Sequence, residues 1–242
     1  MASRVVRIRR GWIIRWAGHV RTAHSGRVST VSLTSQSFLR PPTRSVEEIL
    51  AELSTESEKQ PLAALESADA HRTALGEPLL RAIERGLENP TELPEDEAML
   101  FSYATYLLAK WRETRAFPLI IRWLSLPAED AFAIGGDTVT QDGARILAAT
   151  FDGDFEPVKS LILNRQANEY CRGQAVEAMA LLAAWGEVPR ETVESYFLWL
   201  AREGLERDSN RVWDNLASSA ADIELGMFLS FPPVLQALAG RL

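Results

Sequence analysis

From residue 95 onward two kinds of amphipathic segment alternate, and this alternation confines the chain to packed helices. One kind opens on a proline: Pro118, Pro157, Pro189, and then Pro232 or Pro233. Proline suits the first turn of a helix, where its missing N–H would have no partner anyway, and breaks a helix further in. The other kind is rich in alanine: Ala104, then Ala144, Ala148 and Ala149, then Ala175 and Ala178, then Ala217, Ala220 and Ala221. Side chains this small let neighbouring backbones approach closely. Apolar residues recur at helical spacing in every segment, as in Leu100, Ala104, Leu107, Leu108 and Trp111, or Ala175, Ala178, Met179, Leu182 and Trp185. No run alternates with the period of two that a half-buried strand requires.

The prolines are spaced 39, 32 and 43 residues apart. That brackets the roughly 40-residue period of HEAT-type helix pairs. A single pair cannot bury its own apolar face, so successive pairs must stack. The expected fold is therefore all-α, a right-handed HEAT-like α-solenoid of antiparallel helix pairs. Its domain runs over residues 45–242. The first helix starts at Ser45-Val-Glu-Glu48, a capping box in which the serine oxygen takes a free N–H and Glu48 reaches back. Weaker helical segments cover 61–72 and 77–89, and Asn89-Pro90 ends the second.

Charge divides the chain sharply. Residues 1–46 hold nine arginines and no acid, which leaves 17 basic residues to face all 33 Asp and Glu in the remainder. A body this acidic repels phosphate backbones, so we expect no nucleic-acid partner. Residues 1–44 form a separate Arg- and Ser-rich extension that ends at Pro41-Pro42. It reads as a disordered tail or misplaced start, as a targeting peptide, or as a membrane-surface helix with Val5, Ile8, Trp12 and Trp16 on one face. Membrane contact is expected only through this extension. No window approaches the 18 or so apolar residues of a transmembrane helix, and the expected location is the cytoplasm.

Catalytic constellations are sparse. The single cysteine, Cys171, permits no internal disulfide, and the three histidines all precede residue 72. We expect no cofactor, no metal and no catalytic residue. The most suggestive polar run is Gly135-Gly136-Asp137-Thr138-Val139-Thr140-Gln141-Asp142, followed by Asp152-Gly153-Asp154. Four aspartates so close together suit either a divalent cation with acid/base chemistry or ordinary helix capping, with Thr138 and Gln141 as a capping box. Arg145 and Arg172 are placed near the starts of alanine-rich helices, against the helix dipole. Each calls for a carboxylate such as Asp137, Asp154 or Asp222. That pairing makes either an inter-repeat ion-pair ladder or an anion site. Trp111, Trp123, Trp185 and Trp213 fall on or beside apolar stripes and are expected in the core. Trp199 sits in Leu198-Trp199-Leu200, a wide apolar arc that offers a side chain to a partner. The candidate binding residues are thus Asp137, Thr140, Asp142, Arg145, Asp152, Asp154, Arg172 and Trp199. Cys171, although at a helix start beside Arg172, is expected to be an inert thiol.

Five stretches together resemble the bacterial family catalogued as domain of unknown function 1186. They are Ala104-Thr-Tyr-Leu-Leu-Ala-Lys-Trp-Arg-Glu-Thr-Arg-Ala-Phe-Pro-Leu-Ile-Ile-Arg122, Gly136-Asp-Thr-Val-Thr-Gln-Asp142, Asp152-Gly-Asp154, Asn168-Glu-Tyr-Cys-Arg172 and Val212-Trp213. The resemblance runs from about Ile49 to about Gly226. It implies a HEAT-like helical fold and no established activity. Many relatives continue into a cysteine-bearing SEC-C zinc motif; here no cysteine follows Cys171. Three functional expectations follow. The first is a scaffold that binds a protein or peptide, preferably basic. The second is a metal-assisted hydrolase using Asp137, Asp142, Asp152 and Asp154. The third is a membrane-surface adaptor acting through the basic extension.

Overall fold

A computed structural model describes residues 44–57 and 59–225. The expected segment at Pro232 or Pro233 and all three readings of the N-terminal extension fall outside them. The described residues are all helical; their only extended pairing is an isolated bridge between Pro127 and Ala167. None of their helices is long and apolar enough to cross a membrane.

The capping box at Ser45 forms. Ser45 Oγ accepts from Glu48 N at 3.2 Å, and Glu48 Oε2 accepts from Ser45 N at 2.7 Å, opening α1 (Val46–Leu53). The two weaker segments become α2 (Leu62–Ala68), a single 3₁₀ turn and a long α3 (Arg72–Gly86). Next come α4 (Glu95–Lys110), α5 (Phe117–Leu124), α6 (Asp130–Gly135), α7 (Thr138–Thr150), α8 (Glu156–Leu163), α9 (Glu169–Ala184), α10 (Arg190–Trp199) and α11 (Asn210–Leu225). Pro118 and Pro157 occupy the first turns of α5 and α8, and Pro189 immediately precedes α10. The first turn of α4 carries Glu95, Asp96 and Glu97 and its last turn Lys110, which complements the helix dipole at both ends.

Packing follows chain order. The alanine-rich helices touch in series, α4 on α7, α7 on α9 and α9 on α11. The shorter proline-led helices lie against them, α5 on α7, α8 on α9, and α10 on both α9 and α11. At the N-terminal end, α3 packs on α4 and α1 on α2. One apolar core runs through these contacts from Ile49 to Ile223. Phe101 of α4 meets Trp123 of α5 edge-on at 5.4 Å, the geometry that aromatic quadrupoles favour. Because α9 has neighbours on several sides, Cys171 through Val176 are all buried. Gly173 is small for a reason: a Cβ there would lie 2.9 Å from Asn215 Oδ1 of α11.

Candidate functional site

The four aspartates do not converge on one point. Asp137 stands exposed just before α7, and its carboxylate makes no capping bond; its carbonyl accepts from Thr140 Oγ1 at 3.2 Å. Asp137 thus takes the N-cap position, and the capping box expected of Thr138 and Gln141 does not form, because both already lie within the helix. Asp142, one turn further on, faces α4. Its Oδ2 accepts from Tyr106 Oη at 2.8 Å, and its Oδ1 accepts from Arg145 Nη1 at 3.2 Å. Burial, and then the neighbouring Asp142 carboxylate, push the Tyr106 phenol above its ordinary range, outweighing a Thr138 hydrogen bond that acts the other way. Asp152 Oδ1 accepts from Asp154 N at 2.9 Å, and Asp154 Oδ1 accepts from Glu156 N at 3.0 Å. Those two carboxylates shape the turn that leads into α8. Among the described residues no group of three or more His, Cys, Asp or Glu could hold a metal ion.

The two arginines differ. Arg145 is the eighth residue of α7 rather than near its start; it is exposed and pairs with Asp142 and the Gln141 carbonyl of its own helix. Arg172 is buried in the first turns of α9. Its Nε donates to the Ile162 carbonyl at 2.7 Å, and its Nη1 donates to Glu206 Oε1 at 2.6 Å and to Ser209 Oγ at 3.1 Å. It therefore ties the end of α8 and the loop before α11 to α9. Its carboxylate is Glu206 and none of the aspartates expected from the sequence. Partial burial raises the Glu206 pKa, but hydrogen bonds from Arg172 and Ser209, with the arginine charge, outweigh that and hold it at about 2. Burial pushes the adjacent Cys171 thiol up to about 12, so it stays protonated and unreactive at neutral pH.

Trp199 is 40 % exposed at the end of α10. It stacks on Tyr196 at 5.5 Å, and Lys159 of α8 lies 5.4 Å from the Tyr196 ring centre and 5.5 Å from that of Phe155. The helix then widens into a π-turn, Leu200–Gly204; a Cβ on Gly204 would lie 2.6 Å from the Trp199 ring. Asp142–Arg145, the Asp152–Asp154 turn and Arg172 thus each bond a different set of neighbours, and the Trp199–Tyr196 stack meets Lys159 of α8, the helix into which the Asp152–Asp154 turn leads.

A second exposed tryptophan escaped the periodicity argument. Trp185, expected in the core, is 42 % exposed, whereas Trp111 is 7 % exposed. The signal that links them is an internal repeat. Leu107-Leu108-Ala109-Lys110-Trp111-Arg112-Glu113 at the end of α4 is matched by Leu181-Leu182-Ala183-Ala184-Trp185-Gly186-Glu187 at the end of α9. Both stretches close with the same pair of backbone bonds: Glu113 N to Leu108 O (2.9 Å) with Arg112 N to Ala109 O (3.0 Å), and Glu187 N to Leu182 O (3.0 Å) with Gly186 N to Ala183 O (3.1 Å). This Schellman closure needs a left-handed residue after the cap. Gly186 supplies it at φ +74°, and Arg112 adopts it at φ +53°. The Arg112 guanidinium lies 5.2 Å from the Trp185 ring centre, and its Nη1 bonds Glu187 Oε1 at 2.9 Å. One repeat therefore reaches across to the other.

The described residues define the class first: an all-helical protein, with side-chain bonds such as Tyr106–Asp142, Arg112–Glu187 and Arg172–Glu206 running between its elements. The chain belongs to the family described as "Protein of unknown function (DUF1186)", whose profile matches residues 44–228. It is 33 % identical to a protein of Chlamydia trachomatis serovar D over 178 residues, covering 73 % of this chain and 70 % of that one. It is 31 % identical to a Chlamydia muridarum protein over 175 residues, covering 72 % and 70 %. Both relatives carry the name "Uncharacterized protein". No solved structure matches the chain.

Proposed function

We propose that this protein is a HEAT-like helical-repeat binding module whose acidic body receives a basic protein or peptide segment. The observation that carries this reading is the serial packing of α4, α7, α9 and α11, with α3 beside α4 and the shorter α5, α8 and α10 beside the others. Pairs arranged in this way stack as a solenoid and offer an extended surface rather than a single cleft. The recurrence of the α4 terminus at the end of α9 supports the same repeat architecture. The acid surplus after residue 46 favours cationic partners and repels anionic ones.

Fluorescence anisotropy with two labelled peptides of equal length, one rich in Lys and Arg and one rich in Asp and Glu, tests the reading. The basic peptide should bind saturably and weaken as salt is raised. Equal binding of both peptides, or of neither, defeats it.

A further inference from the structure

The two repeated helix ends differ in what lies over them. Over Trp111 the chain places its own α2–α3 junction. Trp111 Nε1 donates to Asp69 Oδ1 at 2.9 Å, Lys110 Nζ donates to Asp69 Oδ2 at 2.6 Å, and the Arg72 guanidinium donates to the Trp111 carbonyl. The covering turn therefore brings a carboxylate to the indole N–H and, one helical turn later, a cation to the helix-end carbonyl. Over Trp185 no such turn lies among the described residues. Helix length explains why: α3 has 15 residues and α4 has 16, so α3 spans nearly all of its partner. α9 also has 16 residues, but α8 has only 8. At 1.5 Å per residue, α8 covers about 12 Å of a helix about 24 Å long. It lies over the first half, since the Ile162 carbonyl meets Arg172. Leu181, Ala184 and Trp185, at the far end, keep exposed or half-exposed surface. Trp185 Nε1 has no hydrogen-bond partner among the described residues, and Lys110 is replaced by Ala184. The local cation is instead Arg112, which lies over the indole ring.

The geometry points to the uncovered end of α9 as a docking surface for a helical segment of another protein that carries a carboxylate and, one turn further on, a basic residue. The carboxylate takes the Trp185 indole N–H; the basic side chain caps the Trp185 carbonyl; the apolar side of the segment covers Leu181 and Ala184, while Arg112, paired with Glu187, holds the ring face. The occupant is defined by the intramolecular template, Asp69-Ala-His-Arg72, which satisfies the same groups at Trp111. This surface goes beyond the charge-based reading above and does not depend on it, since its recognition is local and nearly charge-neutral.

The test uses the full chain and a labelled synthetic peptide of residues 61–76, cross-linked to hold it helical, with anisotropy as the readout. The expected result is saturable binding that weakens about tenfold or more in Trp185→Ala, as for a tryptophan at the centre of an interface, and equally when the peptide carries Asp69→Asn. Trp185 is half exposed, so its truncation leaves the fold intact; circular dichroism checks this, and Arg112→Gly provides a second variant expected to weaken binding. Absence of saturable binding overturns the proposal. So does binding that Trp185→Ala leaves unchanged, which would place the peptide at Trp111 by exchange with the chain's own turn. A concentration-dependent dimer in sedimentation that Trp185→Ala dissociates would assign the surface to a second copy and likewise overturn it.

Discussion

The last turns of α4 and α9 share five of seven residues and the same backbone closure, yet they meet different surroundings. Trp111 is roofed by a full-length partner helix and hydrogen-bonded by Asp69; Trp185 projects past a partner half as long. Closely similar local sequence and the same backbone closure therefore yield a core residue in one repeat and a surface residue in the other. What decides between them is the length of the neighbouring helix, a property outside the motif itself. The left-handed position shows the same contrast. Gly186 adopts it without steric cost, while Arg112 accepts the strain and uses its side chain to cover part of the exposed ring.

The contrast can be broken most severely at the indoles. Trp111→Ala should destabilise the fold by about 3–5 kcal/mol, the range for emptying a packed aromatic site. Trp185→Ala should cost within about 1 kcal/mol, as a surface change does. Similar losses in chemical denaturation would abolish the distinction. The two ends of α9 provide the next test. Its first turns are held through Glu206, whose folded pKa of about 2 lies below the ordinary 4.5. A carboxyl depressed in this way stabilises the fold above pH 4.5 and loses that contribution as pH falls from there toward 2. Allowing for solvent screening, the loss is about 1–2 kcal/mol. In Glu206→Gln the acid limb of the stability profile should flatten by that amount; an unchanged limb would remove Glu206 from the account.

Two smaller effects sharpen the picture at the helix ends. Asp69→Ala should cost about 1–2 kcal/mol, because it strands the Trp111 indole N–H in a nearly buried site. Glu187→Ala breaks only an exposed pair with Arg112 and should cost under about 0.5 kcal/mol. Gly186→Ala should cost about 1 kcal/mol for forcing a Cβ into the left-handed region. Arg112→Gly should come out near zero, the relieved strain offsetting a cation–π contact of about 0.5–1 kcal/mol. A stabilisation of Arg112→Gly by a full 1 kcal/mol or more would mean that the contact with Trp185 contributes nothing.

Much of the helix inventory was legible in the residues. The capping box at Ser45, the prolines opening α5 and α8, and the apolar spacing of α4, α7, α9 and α11 depend on local sterics and periodicity, which a sequence displays directly. The short α6 was not foreseen, since six residues span too few turns to set a period. The candidate site was less readable. Thr138 and Gln141 have capping-box spacing, but the helix starts one residue after Asp137 and places both inside it. Arg172 was rightly expected to need a carboxylate, yet Glu206 arrives from a loop brought near by tertiary packing. Trp185 was misplaced because a helical stripe marks which side of a helix is apolar and carries no information about how far the neighbour extends.

The most direct measurement is oxidative footprinting of the intact protein, with modification at each tryptophan resolved by mass spectrometry. Trp185 and Trp199 should be modified several times faster than Trp111 and Trp123. If Trp111 reacts as fast as Trp185, the two helix ends are equally open and the contrast on which this account rests is wrong.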